Sequence, residues 1–269
     1  MAIVNVTPDS FYAPSRTMDE ASLINRVRQV VDEGADIIDI GAYSTRPGAG
    51  EVSAEEEIER LRFALPVVRD IAPDTPLSVD TFRADVARMA VSDLGCDIVN
   101  DISGGNLDDE MFRTVAELKV PYVLTHGRGT PATMHQHAVY DNVVCDVIRE
   151  LAAKLSTLEE LGVADILVDP GFGFAKTLEQ NYEILARLDE FKCLHRPILV
   201  GVSRKSMVSK LNGMMPNLIG ETTTALHAYC LDRGASIIRT HDVAAARQCV
   251  NVYQHLISFS THQGPSPTL

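Results

Sequence analysis

Positive charge is scarce in this chain. Lysine and arginine total 24 against 37 acidic residues, a formal net charge of −13 over 269 residues. That balance excludes a general nucleic-acid or anionic-membrane binder, and an anionic substrate would have to be met by a local positive pocket. Long apolar runs are absent too: none approaches the ~20 residues that cross a bilayer, and no charged-then-apolar start marks a leader. Cysteine is sparse and dispersed. Cys96, Cys145, Cys193, Cys230 and Cys249 form no C-x-x-C pair, which reads as reduced thiols without function in a cytosolic protein. No G-x-G-x-x-G follows the first strand to suggest a dinucleotide fold.

What is present is a rhythm. With 45% hydrophobic and 23% charged residues, the chain can bury one large core. A short apolar strand, a polar loop and an amphipathic helix recur throughout. The pattern predicts strands at Ala2–Val6, Asp36–Ile40, Leu77–Val79, Asp97–Asn100, Tyr122–Thr125, Asp165–Val168, Ile198–Val202 and Ser236–Arg239. Helices are expected between them, among others at Ala21–Glu33, Ala54–Ile71, Arg83–Asp93, Val143–Leu161 and Val243–Ile257. DEGADIID, SDLGCDIV, EELGVADIL and DRGASII each carry a helix-ending glycine before a buried strand. Eight such units predict a single α/β domain, a (β/α)8 TIM barrel over 1–258, with the active site at the C-terminal ends of the strands. A doubly wound sheet would use the same units. The Ser/Pro/Gly-rich 259–269 is expected to be a disordered tail.

The strand ends hold the chemistry. In chain order they read NVTPDSF, DIGAYSTRPGAG, SVDTF, VNDISGG, LTHGRGTP, VDPGFGFAK, GVSRKS and RTHDV. Apolar strands finishing in Asn, Asp, Lys, Arg and His are costly unless those groups meet ligands or one another. A helix-capping role suits any one of them, such as Asp242 for the last helix or Asp80 or Thr81 for the third, but not all eight together. Asp80, Asn100 and Asp169 form an acceptor set for a planar heterocycle bearing N–H groups. Asn5, Arg46, Lys205, Arg239 and His241 form a donor set suited to phosphate oxygens. Phe11, Pro47, Phe172 and Phe174 could wall an aromatic second substrate. Arg204 stays open between bracing its loop and meeting a ligand. Asp9 and Asp101 stay open between loop braces and substrate ligands.

Laid side by side, IVNVTPDSF, STRPGA, SVDT, NDISGG, RGTP..M, DPGFGF.KT, GVSRKS and RTHDV resemble the dihydropteroate synthase family, in family order and one per strand end. The resemblance implies condensation of 6-hydroxymethyl-7,8-dihydropterin pyrophosphate with 4-aminobenzoate, assisted by Mg²⁺, with pyrophosphate released. It implies a pterin site of Asp80, Asn100, Asp169, Lys205, Arg239 and Phe174, with Lys205, Arg239 and Asp169 as the catalytic set. It gives the pyrophosphate to Asn5, Arg239 and His241, with Asn5 also a metal ligand. Phe11, Thr45, Arg46, Pro47, Phe174 and Ser206 would form the aminobenzoate site. A cytoplasmic homodimer in folate biosynthesis, a sulfonamide target acting on small molecules with no nucleic-acid or membrane partner, is the accompanying expectation.

The chain departs from the family pattern in places. Ala13 replaces a loop aspartate, Ala42-Tyr43 precede STRPG, Thr125 stands where a methionine is usual, and Ala175 replaces a glycine. The chain opens directly on its first strand, so a shortened start or a barrel floor covered in another way is expected. His126, His135 and His137 invite a zinc reading, though solvated loop histidines are the simpler expectation. Two other functions compete. A corrinoid-linked methyltransferase would share the acidic pterin ligands but has no need of the SRKS and RTHDV cations. A degenerate paralogue would bind pterin without turnover.

Overall fold

The computed structural model describes residues 1–6, 16–43, 52–130, 133–210 and 218–260. The described chain alternates strands and helices: β1 Ala2–Asn5, α1 Arg16–Asp32, β2 Ile38–Gly41, α2 Ala54–Ile71, β3 Leu77–Asp80, α3 Ala84–Ser92, β4 Ile98–Asp101, α4 Met111–Leu118 and β5 Tyr122–Thr125. It continues with α5 Val143–Glu160, β6 Ile166–Asp169, α6 Leu178–Ala186, β7 Leu199–Val200, α7 Ser206–Lys210, α8 Ile219–Asp232, β8 Ile237–Ile238 and α9 Val243–Ser260. Local chemistry explains the boundaries. Ser53 caps α2 through the Glu56 amide, Asn142 caps α5, and Thr177 with Gln180 forms a capping box on α6. Gly34, Gly95, Gly162 and Gly234, the four helix-ending glycines read from the sequence, all take positive φ (86°, 70°, 85° and 103°).

Strands β1 to β6 pair in parallel, in order, and β7 pairs with β8. Both seams between the two sheets are stitched. Val168 bridges to Ile198 on one side and Ala2 to Thr240 on the other, with Val168 N donating to Pro197 O at 3.0 Å and Ile3 N to Thr240 O at 2.9 Å. The result is the expected (β/α)8 barrel. Its last two strands are shorter than the expected Ile198–Val202 and Ser236–Arg239, because those segments hold their neighbours through single bridges rather than a full ladder.

Strand alternation divides the side chains. Ile38, Ile40, Val79, Val99, Leu124 and Val168 point outward into the main core beneath the helices, each burial contributing about 1.5–3 kcal/mol. Ile98, Val123 and Leu199 point inward and pack with Met1, Ile37, Leu167 and Ile237, filling the barrel's N-terminal end. α9 runs to Ser260, past the expected start of the tail, and 261–269 lie outside the described residues.

Candidate functional site

Following the inward positions up the barrel, apolar side chains give way to polar ones. The register sets Asn5 opposite Gly41, Gly41 opposite Asp80, Asp80 opposite Asn100 and Thr125 opposite Asp169. Even-numbered strands supply Asp39, Asn100 and Asp169, and Arg239 follows β8 with the same parity. Odd-numbered strands supply Asn5, Asp80 and Thr125, and Gly201 follows β7. Such alternate-strand layers are how this fold fills its interior; here they are polar and face the C-terminal mouth.

The two layers are knit together by charge. Arg239 donates through Nε to Asp39 Oδ2 at 2.6 Å and through Nη2 to Asp80 Oδ2 at 2.5 Å. Burial opposes the charge on Arg239, but Asp39 and Asp80 outweigh it and hold its pKa above the ordinary value. Asn100 Nδ2 donates to Asp39 Oδ2 at 3.0 Å, so its carbonyl oxygen is the end left for the pocket. Burial pushes Asp80 up to about 7 despite Arg239, and raises Asp169 despite Lys205. Asp169 Oδ1 accepts from Gly171 N at 2.7 Å. The absence of side chains at Gly41 and Gly201 keeps the mouth open. A Cβ at Gly41 would stand 3.3 Å from Asn5 Oδ1, and one at Gly201 would stand 4.0 Å from Asp169 Oδ2.

Lys205 enters from the β7 loop. Its ammonium donates to Phe172 O and sits 4.4 Å above the Phe174 ring. Burial lowers its pKa to about 8, with Asp169 opposing. His241 Nδ1 lies 3.1 Å from Ser203 Oγ, which also accepts from the His241 amide. Thr240 Oγ1 donates to the same oxygen at 3.4 Å, so both lone pairs of Ser203 Oγ are taken, its proton is assigned to Nδ1, and Nε2 is left as the N–H donor. Burial, then Arg204 and Arg239, hold this imidazole neutral, down to about 4. Asn5, Arg26, Arg204, His241 and Asp242 line a cavity of about 630 Å³ between α1 and the start of α9.

Of the expected site residues, Asn5, Asp80, Asn100, Asp169, Lys205, Arg239, His241 and Phe174 gather at this one mouth, and Ser206 stands exposed at the start of α7. Phe11, Thr45, Arg46 and Pro47, and with them Asp9 and Ala13, lie outside the described residues. Phe172 is corrected: its ring is fully buried in the core, and only its carbonyl serves the site. Asp101 points outward and braces its loop, accepting from Ser103 N, Gly105 N and Tyr122 Oη, each at 2.7 Å. Arg204 pairs with Asp242, so the Asp242 carboxylate serves that pair rather than the first amides of α9. Thr81 Oγ1 accepts from Arg83 N at 3.2 Å, while Asp108 accepts from Ala84 N, the first amide of α3.

Two groups escaped the sequence reading. Asp39 is one; the signal was its parity with Asn100, Asp169 and Arg239. Lys176 is the other. Buried beneath the β6 loop, its Nζ meets Gly171 O at 2.9 Å, Phe174 O at 3.1 Å and His126 Nδ1 at 3.0 Å. His126 is not a solvated loop histidine: it is 2% exposed, and its Nε2 donates to Glu150 at 3.0 Å. Arg128 joins the same carboxylate. With both ring nitrogens engaged by protein, burial and Lys176 lower His126 to about 4, and its hydrogen bond leads in lowering Glu150 to about 2. Among the described residues no cluster of three or more His, Cys, Asp or Glu could hold a metal.

A (β/α)8 barrel whose mouth joins acidic acceptors, an amide oxygen and half-buried cations defines a class: an enzyme for a planar, N–H-bearing heterocycle carrying an anionic group. The chain belongs to the pterin binding enzymes, whose sequence profile matches residues 1–241. It is 40% identical over 257 residues to the dihydropteroate synthase of Synechocystis sp., covering 94% of this chain and 88% of that protein. It is 42% identical over 254 residues to a probable bifunctional folylpolyglutamate synthase/dihydropteroate synthase of Haloferax volcanii, covering 94% of this chain but 30% of that longer protein. The crystal structure of dihydropteroate synthase from Thermus thermophilus in complex with 4-aminobenzoate superposes with a TM-score of 0.83 at 38% identity, covering 95% of this chain and 93% of that one.

Proposed function

We propose that the chain is a dihydropteroate synthase, a transferase joining 6-hydroxymethyl-7,8-dihydropterin pyrophosphate to 4-aminobenzoate with release of pyrophosphate. The observation that carries this is the convergence of Asp80, Asn100, Asp169, Lys205, Arg239 and His241 on one barrel mouth. Asp169 accepts from the guanidine-like edge of the pterin, Asn100 and Asp80 hold other edges, and Lys205 donates to the ring carbonyl. Phe174 walls both substrates. His241 Nε2, Arg239 and Asn5 receive the pyrophosphate.

No activated nucleophile is required, because the leaving group is already good. Pyrophosphate departs first with the bonding electrons, the pterin stabilises the methylene cation left behind, and the arylamine nitrogen attacks it and then sheds one proton to water or the released pyrophosphate. The chain positions both partners and supplies cationic donors where charge grows on the leaving oxygens. Asn5, with its side-chain oxygen at the mouth beside Gly41, fits a Mg²⁺ ion held mostly by phosphate oxygens and water. When bound, that ion would neutralise phosphate charge.

The aminobenzoate side, with Phe11, Thr45, Arg46, Pro47 and Ser206, completes the proposal, as do a single barrel domain and a cytoplasmic homodimer. Among the described residues no helix is long and apolar enough to cross a membrane. The test is formation of dihydropteroate and pyrophosphate from the two substrates with Mg²⁺. Asp169→Ala should abolish turnover with the fold intact. Methyl transfer to a corrinoid, or tight pterin binding without turnover by the unmutated protein, would replace this reading.

A further inference from the structure

Asp39 is a fully buried carboxylate at the bottom of the mouth, and one of its oxygens does nearly everything. Oδ2 receives Asn100 Nδ2 at 3.0 Å and Arg239 Nε at 2.6 Å, with Arg239 Nη2 at the same range. Oδ1 is buried and has no partner among the described residues. A carboxylate kept beneath a site with half its acceptors unmet costs stability, so its arrangement calls for a reason beyond packing. The neighbouring inward positions on β2 and β3 are Gly41 and Ser78, so neither adds a second charge at this depth.

Its two partners supply that reason. The amide of Asn100 can face either way; an acceptor-only neighbour at its Nδ2 turns the carbonyl oxygen to the pocket. Arg239 has a long, rotatable side chain, and a second acid, Asp80, also holds it at 2.5 Å. Asp80 lies nearer the rim, 18% exposed against 0% for Asp39. A heterocycle offering N–H groups to Asp80 would compete with Arg239 there, and the guanidinium would then rely on Asp39.

We propose that Asp39 is a positioning residue for the pterin half-site: it orients the Asn100 amide as an acceptor and retains Arg239 beside the leaving group once substrate engages Asp80. This rests on the dihydropteroate synthase reading of the site. It makes Asp39 act through its partners rather than on the substrate.

Two variants separate its tasks. Asp39→Asn keeps an oxygen for Asn100 but weakens the hold on Arg239; Asp39→Leu removes both. The readouts are the dissociation constant of 6-hydroxymethyl-7,8-dihydropterin pyrophosphate by calorimetry and steady-state turnover with each substrate varied, with thermal melts as folding controls. The expected result is a loss in kcat/KM for the pterin of about 10-fold for Asp39→Asn and about 100-fold for Asp39→Leu, the range of a lost charge-assisted hydrogen bond. The aminobenzoate KM should stay within about threefold, since its half-site is separate. If Asp39→Leu does not fold, a cycle of Asp39→Asn with Arg239→Met decides: the double variant should be no worse than Arg239→Met alone. A folded Asp39→Asn with unmutated kinetics, additive losses in the cycle, or equal losses for both substrates would overturn the inference and leave the activity standing. An unmutated protein that neither binds the pterin nor turns over would overturn both.

Discussion

Two lysines flank the loop that follows β6, one buried and one half-buried, and they differ in what their ammonium groups touch. Lys176, beneath the loop, reaches Gly171 O, Phe174 O and His126 Nδ1, three acceptors for three protons. Lys205, on the other side, reaches one carbonyl, that of Phe172, and the face of Phe174. Burial lowers both, Lys176 to about 7 and Lys205 to about 8, and Asp169 opposes both shifts. Electrostatics alone would rank them together. Donor accounting does not: one cation is saturated by the protein, and the other has donors left for a ligand.

The strongest way to break that contrast is Lys205→Ala. Turnover should fall about 1,000-fold or more, the scale of removing a preorganised donor from a reacting site, while the melting curve stays close to that of the unmutated protein. Near-normal turnover would put Lys205 on the structural side of the comparison. Lys176→Met should do the converse. Three buried acceptors lose their donor, an expected loss of about 2–4 kcal/mol in chemical denaturation after allowing for the relieved burial of charge. Turnover measured well below the unfolding transition should drop no more than about 10-fold, through loosening of the loop under Phe174. A large catalytic loss at unchanged stability would show that Lys176 acts on the substrates.

The pattern of what was legible from sequence follows from these geometries. Asn5, Asp80, Asn100, Asp169 and Arg239 are the polar residues on which apolar strands end, and a buried strand advertises such an ending. Asp39 is also inward-facing but lies inside the apolar run IIDIG, two residues before the strand ends, where a polar residue reads as an interruption rather than an end. Lys176 belongs to the segment DPGFGF.KT but received no role of its own; nothing local announces that Gly171 folds its loop back over it. Gly171 has φ 73°, and a Cβ there would strike His126 O at 1.9 Å, so the close approach that buries Lys176 is a tertiary fact. Phe172 and Phe174 are chemically alike and two residues apart, and only the turn between them decides which ring enters the core. The start of α1 at Arg16 rather than Ala21 was invisible because RTMDE carries no apolar periodicity.

pH sharpens the comparison further. The folded-state pKa of Lys176 is lowered to about 7 from 10.5, so between those values the unfolded chain binds more protons at this site than the folded one. Stability contributed by the group therefore rises with pH across that window, by at most about 1.4 kcal/mol per pH unit. Other groups titrate there, so the quantity to measure is the unfolding free energy of the unmutated protein minus that of Lys176→Met, by urea titration at about pH 6.5, 8 and 9.5, from just below the window to well inside it. The difference should grow with pH. A flat difference would mean that the saturated lysine keeps its proton throughout, its three acceptors outweighing burial.

The smallest effect is expected at the third cation of the region, Arg204, beside Lys205 in sequence. Arg204 lines the cavity beside His241 and pairs with Asp242, Nε to Oδ2 at 3.2 Å, with side-chain exposures of 57% and 32%. An ion pair that exposed contributes about 0–1 kcal/mol. Its backbone sits at φ 55°, in the left-handed region where a non-glycine residue is strained by about 1 kcal/mol. Arg204→Gly removes the pair and the strain together, and the two nearly cancel. The variant should unfold within about 1 kcal/mol of the unmutated protein and retain turnover within about threefold, because the Nε–Nη2 edge is already given to the Asp242 carboxylate and the side chain is mostly exposed. A loss of about 10-fold or more in kcat/KM for the pterin pyrophosphate, with the aminobenzoate KM unmoved, would mean that Arg204 leaves Asp242 for the leaving group. A resting ion pair would then be a poor guide to function for an exposed cation, while donor saturation would remain a good one for a buried cation such as Lys176, whose acceptors have no water to replace its protons.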